Sequence, residues 1–447
     1  MKMKLYETLR LKFEEPDWSR NPEFGLIDSI LELHPELLKL AEPDILKGTK
    51  QSKFGRKDVP SVEQIFRAAL YKEMKQLDYR ELEYHQSDSR ICSQFVKLDI
   101  HRPYSFQMYQ NHISKISEST LQQIMVSLNK IAILEGFEDV SRIRNDSTSV
   151  ETNIKYPTNN SLVWDCIRES HRLLTRLFDE GAGITFRDYT EGAKKMYFKI
   201  NVTNGNDKRT PLFVKQLVTF KKCLNQVEAV IKEKESYTGA KAIATVSLLE
   251  AHLETMRTVY EMTEKREVKK ENVPNENKLF SVYELHTDIL VKGSRDVKFG
   301  HKVDLASGKS NLILNCRILE GNPSDSEGYK PTIDAIIKNY DVTPHDWATD
   351  GGYASKANAE YAKEKGIVNI VFNKVVGSLK NIVSSCNMET RLKKWRSGIE
   401  ANISNLKRGF GLDRCNWKGF EHFSAKVMWS VIGYNIRVMT AAVLHLI

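Results

Sequence analysis

Asp350 closes a short apolar run in Trp347-Ala348-Thr349-Asp350-Gly351-Gly352-Tyr353-Ala354-Ser355, and a helical pattern from about Lys356 to Lys365 follows. This reads as strand, tight turn and helix, with the carboxylate on the strand's carboxyl lip, where α/β sheets tend to bind ligands. The two glycines would let the backbone turn sharply there. On its own, Asp-Gly-Gly reads as well as a plain turn. Asp146 sits in an alternating, β-branched run, Val140 to Val150, that predicts a strand. Glu400 lies in a helical segment with Arg396 four residues before it and Lys407 seven after, on about the same face. That spacing also describes an ordinary solvated ion pair.

Carboxylates from separate elements are what hard divalent cations prefer as ligands. Two such ions about 3.5–4 Å apart can activate the attacking oxygen and stabilise the leaving oxygen of a phosphodiester. Asp146, Asp350 and Glu400 are the set that could do this, and only folding can unite residues so far apart in sequence. Around Glu400, residues 388–408 carry Arg391, Lys393, Lys394, Arg396, Lys407 and Arg408 against two glutamates. A basic helix around one inward carboxylate suits an approaching phosphate backbone.

The elements that must position these groups follow from periodicity. Ile27, Ile30, Leu31 and Leu33 suggest one short amphipathic helix, and Lys47 to Asp58 looks like a polar loop. Ser61 can cap a helix that carries Ile65, Phe66, Ala69 and Leu70. Further helices are predicted from Tyr79, over Phe106 to Ile116 and over Ser119 to Ile133. Residues 1–135 therefore read as an all-helical domain, of a kind that often sets one helix in the DNA major groove. Arg102, His112 and Lys115 are candidate contacts there. After the Asp146 strand, helical stripes run from Leu162 to about Thr263, joined by a polar, basic link from Lys194 to Arg209. Strand signals return at Leu279–Tyr283 and Asp288–Val291, with a turn at Gly293-Ser294. Val297–Leu305 and Asn311–Leu319 continue them as a meander. A helix is expected over Lys330–Tyr340, a strand near Ile367–Phe372 and one long helix over Glu389–Arg408. The expected fold class is mixed α/β (α+β) with a large helical insertion. Residues 136–161 and 279–425 would form the sheet domain, 162–278 the insertion, and 426–447 a helix packed on it.

Composition narrows the function classes. The chain has 447 residues, 28% charged and 41% hydrophobic, as globular proteins do. Its net charge of +9 is compatible with a polyanionic partner. Six scattered cysteines form no C-x-x-C pair, which argues against a zinc module or disulfide framework and for a reduced, cytoplasmic compartment. The apolar segment Val427–Ile447 contains Asn435 and Arg437, so a buried helix is expected rather than a membrane span.

The chain resembles bacterial insertion-sequence transposases of the DDE type, which have a ribonuclease-H-like catalytic fold. The resemblance runs through Asn145-Asp146-Ser147-Thr148, Tyr156-Pro157-Thr158, Tyr283-Glu284-Leu285-His286-Thr287-Asp288 and Phe299-Gly300-His301-Lys302. It continues in Thr349-Asp350-Gly351-Gly352-Tyr353, in Arg396, Glu400 and Lys407, and in Phe410-Gly411-Leu412-Asp413-Arg414-Cys415-Asn416-Trp417. It implies a ribonuclease-H-like mixed sheet, an N-terminal DNA-binding domain, and Asp146, Asp350 and Glu400 as a triad holding two Mg2+ ions, with Mn2+ able to substitute. Arg396 and Lys407 would contact the transposon end, with Lys394 and Arg408 nearby. The implied partners are double-stranded DNA, as terminal inverted repeats and target, and a second copy of the chain on that DNA. The implied location is the bacterial nucleoid. Two departures stand out: Lys393 replaces an aromatic residue, and the insertion precedes the second aspartate instead of the glutamate. A non-catalytic DNA-binding derivative and a ribonuclease-H-like nuclease are the alternative readings.

Overall fold

A computed structural model of the chain describes residues 18–48, 59–98, 103–292, 296–373 and 379–444. The expected loop at Lys47–Asp58, the turn at Gly293-Ser294 and Arg102 lie wholly or largely outside these residues. The chain divides into two compact units, one of residues 1–151 with 302–447 and one of residues 152–301.

Among the described residues, the N-terminal part of the first unit has seven helices: α1 (Pro22–Leu33), α2 (Glu36–Leu46), α3 (Val62–Lys75), α4 (Tyr79–Asp88), α5 (Arg90–Val96), α6 (Phe106–Ile113) and α7 (Glu118–Leu134). Ser61 caps α3 as expected, in a reciprocal box with Gln64. Among the described residues before residue 46 there are two helices where one was expected. Strand β1 (Arg142–Thr152) follows, and the second unit then holds α8 (Asn159–Asp179), α9 (Thr190–Val202), α10 (Asn206–Lys232) and α11 (Ala240–Thr263). The expected basic link from Lys194 to Arg209 is mostly helix. Leu279–Tyr283 is not a strand, whereas β2 (Asp288–Lys292) pairs antiparallel with the first half of β3 (Asp296–Ser307).

Back in the first unit, the second half of β3 pairs antiparallel with β4 (Ile313–Leu319). There follow α12 (Asp325–Tyr340), β5 (Asp346–Asp350), α13 (Lys356–Glu364), β6 (Asn369–Asn373), α14 (Cys386–Arg396), α15 (Gly398–Phe410), the short β7 (Arg414–Cys415) and α16 (Phe420–Val443). The expected long helix over Glu389–Arg408 is two helices broken at Ser397. The strand order β4-β3-β1-β5-β6, with β7 on β1 and parallel β1–β5 and β5–β6 pairs, gives the expected mixed α/β sheet.

Alternation along β5 and β6 serves both faces of this sheet. Trp347, Ile370 and Phe372 enter the large core beside Tyr329, while Ala348 and Val371 pack against Leu392 of α14. That large core is continuous from Phe24 in α1 to Met439 in α16, so the first helices and the sheet share apolar contacts. Asn435 explains how a polar residue fits the apolar α16. It is fully buried, donates to the Ile313 carbonyl (2.8 Å) and Asn129 (3.0 Å), and accepts from the Ile313 N–H (2.9 Å). Every polar atom of its amide is thereby used. No helix among the described residues is long and apolar enough to cross a membrane. All six cysteines are free thiols.

Candidate active site

Register places the two aspartates. The parallel β1–β5 ladder pairs Asn145 with Thr349, so Asp146 and Asp350 are the next residues on adjacent strands. Neighbouring strands lie about 4.8 Å apart. The third carboxylate comes from the α14–α15 break. Gly398 opens α15, where a Cβ would meet Arg144 Nη1 at 1.9 Å, so only glycine allows that guanidinium to pass. Arg144 donates to the Trp395 carbonyl (3.0 Å) and lies over the Trp395 ring, pinning the end of α14 to β1. Glu400 follows in the first turn of α15.

Arg396 joins these groups. Its guanidinium meets Asp146 Oδ2 at 2.6 Å, Glu400 Oε1 at 2.8 Å and Asp350 Oδ2 at 3.9 Å. The Arg396 side chain is only 6% exposed, while Glu400 remains 65% exposed. The i, i+4 pair with Glu400 therefore forms, but its arginine is buried among carboxylates instead of facing solvent. Among the described residues, no three His, Cys, Asp or Glu side chains stand close enough to hold a metal ion as they are. The donor set nevertheless fits a hard cation chemically. Oxygens from three carboxylates already surround one cationic group, and exchanging the guanidinium for a divalent ion requires Arg396 to swing away.

Burial pushes the Asp146 carboxyl up to about 6; Arg396 and the Ser147 N–H oppose this, and the charges of Asp350 and Asp325 add to it. Asp325 was not singled out from the sequence. It accepts from Ser147 Oγ (2.8 Å) and Lys302 Nζ (3.3 Å), and a Cβ on Gly352 would meet its Oδ2 at 2.9 Å. The glycine at 352 thus serves close approach, not a left-handed turn, since Gly351–Tyr353 is a right-handed 3-10 turn. Asp325 sits in the first turn of α12, and Ser324-Asp325-Ser326-Glu327 is a capping-box sequence that could have revealed this helix start. Asp304, also missed, is buried. It accepts from Asn145 (3.0 Å), Tyr353 (2.7 Å) and Thr332 (2.6 Å), which ties the residues flanking both aspartates to β3. Burial raises its carboxyl above the usual range.

Of the expected DNA contacts, Lys394 and Arg408 are exposed. Lys407 is half-buried, donating to the Ser149 carbonyl (3.1 Å) and Asp413 (3.3 Å). His112 lies 3.4 Å from the Ile45 carbonyl, and Lys115 donates to the Lys47 carbonyl (2.9 Å).

Asp146→Asn gives a stability test of the strain at this site. The folded state holds this carboxyl near 6 against an ordinary 3.8, so it disfavours the ionised form. The stability carried by the protonated form is complete below the unfolded value and is lost as pH rises through about 6. Asparagine removes that pH-dependent loss, so the variant's gain relative to the parent should be larger at pH 8 than at pH 4. Urea unfolding at both pH values measures this, and equal gains at both would refute it.

Residues 292–436 match the family model of the transposase DDE domain. The match includes Asp350, Arg396, Glu400 and Lys407, and Asp146 lies before it. No curated protein and no solved structure matches the chain. The part of the resemblance that runs from Phe299 to Trp417 thus has independent support: residues 292–436 are similar to the transposase DDE domain.

Proposed function

We propose that this transposase cuts phosphodiesters at the terminal inverted repeats of its element and joins the freed 3′-hydroxyls to target DNA. Asp146, Asp350 and Glu400 are the catalytic carboxylates. The observation that carries the reading is the β1–β5 register, which sets Asp146 beside Asp350 while Glu400 reaches the same cation. Two Mg2+ ions, or Mn2+ in their place, would supply the Lewis acidity that phosphodiester attack needs at neutral pH. Asp146, Asp350 and Glu400 would hold them. Asp304 and Asp325 orient the two strand ends from behind, and Lys394, Arg396, Lys407 and Arg408 offer cations to the DNA backbone. A homodimer on DNA would hold both ends together.

A second reading draws on Arg396. If its guanidinium never leaves the carboxylates, the chain binds DNA without cutting it. Incubating the protein with labelled DNA from each flank of its gene, with Mg2+, and mapping new 3′ ends decides between them. Cuts at one fixed position in both flanks, followed by joining to a target plasmid, support the transposase. Binding with no cut in Mg2+ or Mn2+ supports the second reading, and cutting without joining supports a nuclease.

A further inference from the structure

Charge is unevenly spread over the helices of the second unit. Residues 190–222, spanning α9 and the first half of α10, carry Lys194, Lys195, Lys199, Lys208, Arg209, Lys215, Lys221 and Lys222 against Glu191 and Asp207. That is a net +6 in one short hairpin, where the whole chain carries +9. In α8 and α11 the arginines are instead neutralised by neighbouring carboxylates. Arg168 pairs with Asp165, Arg172 with Glu169, Arg176 with Glu180, and Arg257 with Glu228 and Glu254. In the hairpin only Lys195 has an ion-pair partner among the described residues, Glu191 at 2.6 Å.

The lysines are also in line. Lys208, Lys215 and Lys222 are all exposed and seven residues apart on one continuous helix. Seven residues are nearly two turns, so the three form a stripe on one face, rising about 10 Å per step. The opposite face of α10 is fixed in the unit's core by Leu217, Phe220 and Leu224. A rigid row of unpaired cations on one face fits an extended polyanion better than a compact anion.

We propose that the α9–α10 hairpin is a sequence-independent docking surface for the phosphate backbone of duplex DNA, separate from the carboxylate site. The proposal rests on the reading of the chain as a DNA-acting transposase. It gives the helical insertion a role: to hold DNA by charge. Phe198, Val202, Val214 and Val218 are exposed among the lysines, which makes an anionic lipid surface the chief competing partner.

The test compares full-length protein with a Lys208→Gln, Lys215→Gln, Lys222→Gln variant. Each binds a fluorescent duplex of arbitrary sequence over a series of salt concentrations. A Lys338→Gln, Lys356→Gln, Lys363→Gln variant, altered on α12 and α13, is the count-matched control. The stripe variant should bind about tenfold more weakly at low salt, with the slope of log affinity on log salt reduced by about 2–3. The control should match the parent, and all three should melt alike because the replaced side chains are exposed. Gln at Lys194, Lys195 and Lys199 on α9 is the second variant and should weaken binding in the same direction. Unchanged affinity and slope in both hairpin variants, with the parent binding duplex, would overturn this inference and leave the transposase reading standing. A parent that binds no duplex would sink that reading too. Lysine-dependent binding to phosphatidylglycerol vesicles without duplex binding would assign the hairpin to membranes and overturn it.

Discussion

Asp350→Ala is expected to reduce DNA cleavage by about a thousandfold or more, the scale of several kcal/mol of lost transition-state stabilisation. Duplex affinity should stay within about threefold, because in the proposed function cationic side chains, not this carboxylate, would meet the phosphates. The reason lies in geometry. Asp350 ends β5, and its side chain is 45% exposed, so removing it leaves no cavity. Its contribution is an oxygen beside Asp146 that no neighbour replaces. Asp325 is also near, but it is engaged by Ser147 and Lys302. The measurement is product formation on end-containing DNA, with a melting curve to show that the fold persists. Cleavage at more than a tenth of the parent rate would remove Asp350 from the catalytic set.

What could be read from the sequence depended on whether the signal was local. The helix after Ser61, the Asp146 strand and the strand–turn–helix at Asp350 carry their information within a few residues, and each forms. The break at Ser397 could not be read. Glu389 to Arg408 has continuous helical character, and the interruption comes from Arg144, on a distant strand, crossing at Gly398. The basic stretch after Lys194 reads as a link because its polarity masks helix formation; α9 buries only Ala193 and Ile200. At the site, the three carboxylates that the fold brings to Arg396 were legible, and so was the Arg396–Glu400 spacing. That Arg396 faces inward was not, because burial depends on how α14 packs across β5 and β6. Asp304 was hidden for a similar reason. A lone aspartate in a strand gives no sign that three hydroxyl and amide donors from other elements converge on it.

Arg396→Ala should destabilise the metal-free protein by about 3–5 kcal/mol, the range for removing one partner of a buried ion pair. Arg396 is nearly enclosed, and Asp146 is held beside it. Without the guanidinium, Asp146 faces Asp350 and Asp325 and has no ion-pair partner of its own among the described residues, so part of the cost is relieved by protonation. The loss should therefore be smaller at pH 5 than at pH 8. The three carboxylates that meet Arg396 would face the vacated position and would have to draw closer to hold a divalent cation. Mg2+ or Mn2+ should accordingly restore more stability to the variant than it adds to the parent, where the ion must first displace the arginine. A ligand at 100 times its dissociation constant adds about 2.7 kcal/mol, so the recovery is readable in a thermal melt. Ca2+ serves as a cation that binds oxygen ligands in looser geometry. Equal shifts in variant and parent would mean that Arg396 does not compete for the site. A variant as stable as the parent without metal would mean that the guanidinium contributes no net stabilisation among the carboxylates. Selective rescue would identify Arg396 as the resident cation of the metal-free site, whose release makes room for the metal.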